Sequence, residues 1–172
     1  IADAIKNNGA LTSLNMSNNA INADINGEEA AAPGKALADA LAVNTVLKEL
    51  DLSSNYLKPP FADAFAVGLS TNGALTSLNI SNNDIGAIVG WTYHPGNEHE
   101  YKYIHSDGRH QEHLPEGNEL GKREGVIAIA NAIPTMGALT SLDISDQVNQ
   151  YGSGGLGPEG AKYIAAALPV CK

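Results

Sequence analysis

The side chains with the greatest capacity for chemistry are concentrated in one stretch, residues 86–124. This stretch contains all five histidines, the only tryptophan, Trp91, and three of the six tyrosines, Tyr93, Tyr101 and Tyr103. Imidazole is a common metal ligand and titrates near physiological pH. Exposed aromatic rings often anchor protein–protein contacts. If the protein has a localised function, we expect it in this stretch.

A β-hairpin is predicted inside the stretch. Residues Tyr101–His105 alternate in character and are followed by Ser106-Asp107-Gly108-Arg109, whose Asp-Gly pair is typical of a hairpin turn. If the turn has two residues, His105 lies opposite His110, and Tyr103 lies opposite Glu112. His105, His110 and Glu112 are then candidate ligands for zinc or a similar metal, because imidazole and carboxylate groups bind such ions.

The histidine-rich stretch has two further interpretations. It contains neither a closed four-ligand zinc pattern nor a helical pair of histidines four residues apart, which favours a polar loop anchored on the rest of the chain by aromatic residues. The other interpretation is a pH-responsive surface, because protonation of all five histidines would change the net charge from −9 to about −4. We therefore predict no bound metal or cofactor.

No catalytic constellation accompanies these residues. A nucleophile needs a neighbouring base, and the single cysteine, Cys171, has no histidine near it in the sequence. The glycine-rich run Gly152–Gly157 lacks the Gly-Lys-Ser/Thr element that binds phosphates, so we predict that the protein is not an enzyme. A single cysteine also excludes an internal disulfide, which favours an intracellular, reducing compartment, either the cytoplasm or an organelle interior.

Composition narrows the class of partner. A net charge of −9 and a pI near 4.8 disfavour nucleic acids and anionic membranes, because their phosphates would be repelled. No apolar run approaches the roughly 18 residues that a membrane-spanning helix needs, so we predict a soluble protein without direct membrane insertion. A neutral or basic protein partner fits this charge best.

An internal repeat supplies the elements that must position these residues. The stretch Leu75-Thr-Ser-Leu78-Asn-Ile80-Ser-Asn-Asn83 recurs, with its leucine spacing, from Leu11, Leu47 and Leu139. Alternating apolar and polar residues predict a strand in each copy, near residues 11–17, 47–53, 75–81 and 139–145. Apolar residues at helical spacing predict a helix between copies. Residues 86–124 interrupt this order as an insertion.

The pattern Leu-x-x-Leu-x-Leu-x-x-Asn-x-Leu, followed by a helix such as Gly34–Leu41, resembles the leucine-rich repeat, specifically its ribonuclease-inhibitor-like subclass. The resemblance covers essentially the whole chain except residues 86–124. It implies a single α/β array over residues 1–172, a right-handed horseshoe-shaped solenoid with a parallel sheet on the concave side and helices on the convex side. It also implies a protein-binding scaffold.

A ladder of asparagines is predicted where the chain turns off each strand. Asn19, Asn55 and Asn83 recur at one position of the repeat, where a side-chain amide can satisfy backbone groups that the turn leaves unpaired. Gln147 departs from this pattern in the fourth copy, and the pattern does not predict the geometry of that turn.

The outward side of the predicted sheet is small, polar or acidic. Alternation places these residues on it: Ser13, Asn15, Ser17, Glu49, Asp51, Ser53, Ser77, Asn79, Ser81, Ser141, Asp143 and Ser145. Because tryptophan, tyrosine and arginine are missing from this set, we expect mostly solvated positions. Asp51, Asn79 and Asp143 are assigned to the binding surface, where they would orient a partner.

Our leading hypothesis is a non-catalytic scaffold that binds another protein. Trp91, Tyr93, Tyr101 and Tyr103 would anchor the partner, and the acidic concave edge would orient it. The alternative is a structural subunit of a larger assembly, because the first and last helices look like parts of open repeats. The same feature, together with a first residue other than methionine, leads us to expect a fragment of a longer array.

Overall fold

The structure is a computed structural model that describes residues 1–22, 31–86, 91–93, 103–105, 110–111, 124–147 and 156–168, of which 91–93, 103–105, 110–111 and 157–159 are described by their backbone alone. The helices are α1 (Ala2–Asn7), α2 (Ala32–Leu41), α3 (Pro59–Thr71), α4 (Glu124–Ala132) and α5 (Gly157–Ala167). The strands are β1 (Ser13–Asn15), β2 (Glu49–Asp51), β3 (Ser77–Asn79), β4 (Trp91–Tyr93), β5 (Tyr103–His105), β6 (His110–Gln111) and β7 (Ser141–Asp143). Within these ranges no helix is both long and apolar enough to cross a membrane.

Four strands form one parallel sheet in the order β1-β2-β3-β7. The register aligns equivalent positions of the repeat, since Leu14 pairs with Leu50, Leu50 with Leu78, and Leu78 with Leu142. Each strand has three residues and lies at the centre of its predicted range. The alternation of strand and helix and the parallel pairing confirm the predicted α/β solenoid.

The helices pack side by side in chain order and cover one face of the sheet. Leu50 and Leu78 lie in the core between the two layers, whereas Glu49 on the opposite face is exposed. Phe61 and Phe65 are also buried in this core, with ring centroids 5.4 Å apart.

The close packing of the helices depends on glycine, as the contacts of Gly68 and Gly125 show. A Cβ added at Gly68 would overlap the backbone of Ala38 on the neighbouring helix. A Cβ added at Gly125 would lie 2.6 Å from the carbonyl oxygen of Ile85 and 2.9 Å from the Cα of Pro59. Successive helices can therefore approach closely enough to follow the narrow spacing of the parallel strands.

Proline residues fix two helix boundaries. Pro59 is the first residue of α3, where the missing N–H group costs little. Pro134 follows α4, and the chain continues there as a short 3-10 helix, Ile133–Thr135. Because proline cannot donate a backbone hydrogen bond, it prevents α4 from continuing.

The insertion leaves the parallel sheet continuous. Strand β3 pairs directly with β7, although 64 residues separate the equivalent residues Thr76 and Thr140. Within the insertion, β4, β5 and β6 form a separate three-stranded antiparallel sheet. Its β5–β6 hairpin confirms the predicted hairpin, whereas β4 is a strand that the sequence pattern did not predict.

The predicted register of this hairpin is wrong by one residue. His110 pairs with Ile104 rather than with His105, and Glu112 is therefore not the register partner of Tyr103. The prediction assumed a two-residue turn. With such a turn, the chain between any two paired residues of the hairpin contains an even number of residues. Here five residues lie between Ile104 and His110, so the assumed turn is incompatible with the pairing. Glu112 itself lies outside the described residues.

Candidate protein-interaction surface

A ladder of side-chain amides joins the repeats just beyond the strands. The side-chain oxygen of Asn83 accepts hydrogen bonds from the backbone N–H groups of Asn55, at 2.9 Å, and Leu57, at 3.0 Å. Its side-chain nitrogen donates to the carbonyls of Leu52, at 3.1 Å, and Ile80, at 2.9 Å. One buried amide therefore satisfies backbone groups in two repeats.

The same arrangement extends to the first repeat. The side-chain oxygen of Asn55 accepts the backbone N–H of Asn19 at 2.9 Å, and its nitrogen donates to the carbonyl of Met16 at 2.8 Å. Asn19 is exposed, and its amide donates to carbonyls of its own repeat, those of Met16 and Ser17. The buried members of the ladder therefore carry more of the contacts between repeats than Asn19 does.

Gln147 continues the ladder in the fourth repeat. Its side-chain oxygen accepts the backbone N–H of Ile85 at 3.3 Å, and its nitrogen donates to the carbonyl of Ile80 at 2.8 Å. The side chain is 2 % exposed. The longer side chain of glutamine fits at this position, and the fourth repeat therefore keeps a side-chain amide in the ladder.

A second asparagine ladder, which we did not predict, lies between each helix and the following strand. The side-chain oxygen of Asn72 accepts the N–H groups of Ala74 and Leu75, and its nitrogen donates to two carbonyls of the preceding repeat, 2.8 and 3.1 Å away. Asn44 makes the equivalent contacts, and the side-chain oxygen of Asn8 accepts the corresponding pair of N–H groups. In the sequence, this second ladder is marked by an asparagine three residues before the first leucine of each of the first three repeats.

The predicted orienting residues at the ends of the strands also hold the backbone. The side-chain oxygen of Asp51 accepts the N–H of Ser53 at 2.9 Å, and that of Asp143 accepts the N–H of Ser145 at 3.0 Å. Asn79 makes the equivalent contact at 3.0 Å. Such a contact turns the chain away from the sheet, which explains why the strands are short. The three residues lie in register on neighbouring strands.

The open face of the sheet is polar and negatively charged. Glu49 and Asp143 are exposed, and Asp51 and Asn79 are half-buried. Every other outward position on β1, β2, β3 and β7 is a serine or Asn15. A face with little apolar area and several carboxylates is better suited to orienting a partner than to anchoring it.

The chain leaves every strand of the parallel sheet through a residue in the left-handed backbone conformation. These residues, Asn18, Ser54, Asn82 and Asp146, have φ between 50° and 57°. Two residues further on, Ala20 and Tyr56 have φ of 52° and 57°. We call these six residues the carboxyl rim, because they follow the carboxyl ends of the strands. Asparagine and aspartate adopt this conformation readily, whereas a bulky residue rarely does.

Tyr56 is the aromatic residue of the carboxyl rim. The residue is 52 % exposed. Its neighbours Asn55 and Leu57 are both 0 % exposed. The chain therefore holds Tyr56 at the surface between two fully buried residues.

Asp84 takes the place of Tyr56 in the next repeat, directly before the start of the insertion. Burial raises the pKa of Asp84 to about 7, and the positive charge of Lys58 opposes this rise. The Oδ1 atom is buried without a hydrogen-bond partner in the described part of the chain. The repeat pattern could not reveal this residue, because the equivalent positions carry alanine and tyrosine.

The backbone register of the insertion places three of the four predicted anchors. Trp91 lies opposite His105, and Tyr93 lies opposite Tyr103, whereas Tyr101 is outside the described residues. Among the side chains that the structure describes, no group of three or more His, Cys, Asp and Glu residues could hold a metal ion. The histidines of the insertion are not part of that set, so the structure tests neither the candidate ligands His105 and His110 nor the predicted absence of a metal.

Comparison with known proteins supports the fold. Residues 43–59 and 72–88 match the family model described as "Leucine Rich repeat". No curated protein matches the sequence significantly. Among solved structures, the chain is similar to "Leiomodin-1 Actin-Binding Site 2 (ABS2)", with a TM-score of 0.60 and 21 % identity over 99 % of this chain and 71 % of that chain.

A second solved structure is less similar to this chain. It is the tropomodulin C-terminal domain of Caenorhabditis elegans, with a TM-score of 0.43 and 13 % identity over 98 % of this chain and 89 % of that chain. The in-register parallel strands, the amide ladders, the two matched segments and the leiomodin likeness agree with one another. This chain has the fold of an α/β leucine-rich-repeat solenoid.

Proposed function

We propose that the protein is a non-catalytic scaffold that binds another protein, with contacts centred on the insertion and on the neighbouring acidic edge of the sheet. The observation that carries this proposal is the direct pairing of β3 with β7. The array does not need the insertion to complete its parallel sheet. A segment rich in aromatic residues that the sheet does not require is available for a partner.

We also assign the array to the ribonuclease-inhibitor-like subclass. Thr76 follows its equivalent residue, Lys48, by 28 residues. The helices α2 and α3 contain 10 and 13 residues, so each connection on the convex side is a full helix. A long repeat with a full helix supports this subclass.

The proposed anchors are Trp91, Tyr93, Tyr101 and Tyr103. Aromatic side chains bury a large area on binding and lose little conformational entropy, so a few of them can supply most of the binding energy. The backbone pairing of Tyr93 with Tyr103 supports a common site for at least two of the four. Asp51, Asn79 and Asp143 would orient the partner from the adjoining face of the sheet.

Actin is the first partner to test. The similar leiomodin-1 structure is an actin-binding site, although an identity of 21 % supports a common fold alone. The net charge of −9 adds a restriction, because the docking patch of any partner should be neutral or basic.

The experiment replaces all four anchors with alanine and measures the affinity for labelled monomeric actin, or for a partner identified by co-purification and mass spectrometry. We expect the affinity to fall at least about tenfold, while circular dichroism and urea unfolding stay unchanged. Tyr163→Ala, an exposed tyrosine on α5, is the matched control. Unchanged affinity would move the site away from the insertion, and a protein without any partner would contradict the scaffold function.

A further inference from the structure

Tyr56 keeps an aromatic ring at the surface in a backbone conformation that bulky residues avoid. Its φ is 57°, and the residue is 52 % exposed. Among the described residues, its ring and hydroxyl make no hydrogen bond and no ring–ring contact. Ala20 adopts a φ of 52° at the equivalent position, so the turn itself needs no more than a methyl group there. The aromatic ring is therefore not explained by the fold.

The backbone on both sides of Tyr56 is fixed by one side chain. The side-chain oxygen of Asn83 accepts the N–H of Asn55 at 2.9 Å and the N–H of Leu57 at 3.0 Å. Because these neighbours are buried and hydrogen-bonded, the ring is presented from a rigid base. A partner that contacts the ring would lose little free energy in ordering it.

The open face of the parallel sheet, whose strand β2 leads to Tyr56, carries a negative charge. Asp51 ends the strand that leads to Tyr56, and Asp143 and Asp146 are exposed in the fourth repeat. Lys58, a nearby cation, already interacts with the partly buried carboxyl group of the next repeat. An exposed ring on the rim of a sheet face that carries carboxylates is complementary to a segment with guanidinium or ammonium groups, which can stack on the ring and pair with the acids.

We propose that Tyr56 is the aromatic anchor of a docking site for an arginine- or lysine-bearing, extended segment of a partner protein. The cation stacks on the exposed ring, and Asp51 and Asp143 orient the segment across the sheet. These carboxylates lie on strands that are two positions apart in the sheet, so the distance between them is about 10 Å. About three residues of an extended chain can span this distance. The inference rests on the proposed scaffold function, and it adds the chemistry of the partner and an anchor outside the insertion.

The test uses a fluorescent, end-capped peptide with an arginine at every third position and a matched peptide with glutamates instead. Fluorescence anisotropy should show that the whole chain binds the arginine peptide and not the glutamate peptide. Tyr56→Ala, which copies Ala20, should weaken binding about fivefold, and Tyr56→Phe should preserve it. Tyr163→Ala should leave the affinity unchanged.

The proposal is overturned if the protein does not prefer the arginine peptide, or if Tyr56→Ala binds it as well as the unmodified protein does. The variant without the four insertion anchors separates this proposal from the preceding one. If it keeps the peptide but loses the protein partner, both proposals hold. If it loses both while Tyr56→Ala keeps both, the scaffold stands and the role of Tyr56 fails.

Discussion

The side-chain oxygen of Asn83 lies 2.9 Å from the backbone nitrogen of Asn55, and this contact joins two repeats at the point where the chain turns off the sheet. The same oxygen accepts the N–H of Leu57, so both neighbours of Tyr56 are held by one residue. The ladder that stabilises the array therefore also fixes part of its surface.

Replacing Asn83 with alanine should destabilise the protein far more than replacing Asn19. Loss of the buried amide of Asn83 leaves backbone groups in two repeats without partners, whereas Asn19 is exposed. We expect Asn83→Ala to lower the free energy of unfolding by about 3 kcal/mol or more, and Asn19→Ala by about 1 kcal/mol or less. Urea unfolding measures both values, and equal losses would contradict the ladder's role.

A methyl group at Gly68 should be poorly tolerated. It would overlap the backbone of Ala38, and neither helix can move without disturbing the layer. We expect Gly68→Ala to reduce the free energy of unfolding by about 2 to 3 kcal/mol, as overpacking does. At Gly73 an added Cβ meets nothing within 4 Å, so Gly73→Ala is the control. A Gly68→Ala protein as stable as this control would show that α2 and α3 are packed less closely.

Asp84 should make stability depend on pH. Its pKa is raised from 3.8 to about 7 in the folded protein, so the folded state binds a proton more tightly than the unfolded chain. The stability that this carboxyl contributes is fully present below the unfolded value and is lost as the pH rises through about 7. The protein should therefore be more stable in mild acid, with respect to this group, than in mild base.

The measurement is urea unfolding of the unmodified protein and of Asp84→Asn across this range. From about pH 8 to about pH 5, the unmodified protein should gain about 2 kcal/mol relative to the variant. The comparison with the variant cancels the titration of the histidines. Parallel pH profiles for the two proteins would show that Asp84 has an ordinary pKa in the fold.

The purified protein should contain no stoichiometric zinc. Because His110 pairs with Ile104, His105 and His110 are not the register partners that the candidate metal site assumed. Treatment with a chelator should therefore leave the unfolding midpoint unchanged. One equivalent of zinc that survives dialysis, together with a lower midpoint after chelation, would contradict this expectation.

The leucine spacing was sufficient to predict the array, because each inward leucine must pair with its equivalent to be buried. Leu50 and Leu78 show this directly, since they are register partners and both lie in the core. The second asparagine ladder could also have been predicted from the asparagine three residues before Leu11, Leu47 and Leu75. In two of these copies, however, the asparagine precedes a glycine, and an Asn-Gly pair is equally typical of a helix C-terminus.

Features that depend on contacts between repeats could not be read from the pattern. The buried environment of Asp84 arises from elements that meet only in the folded array, and the sequence around it resembles an exposed turn. The hairpin register depended on a turn length that the Asp-Gly pair does not fix, and a change of one residue alters every pairing. The exposure of Tyr56 likewise could not be read from the repeat pattern, because it depends on the burial of the residues on either side of it in the folded array.

Because β3 pairs directly with β7, we propose that the insertion is mounted on an array whose parallel sheet is complete without it. Deleting residues 87–122 shortens the interval between Thr76 and Thr140 from 64 residues to 28, the interval that already separates Lys48 from Thr76. Urea unfolding of this deletion variant tests the claim most directly. We predict one cooperative transition with a free energy of unfolding within about 1 to 2 kcal/mol of the unmodified value, because shortening a connection changes stability little. A variant with no cooperative transition would contradict the claim.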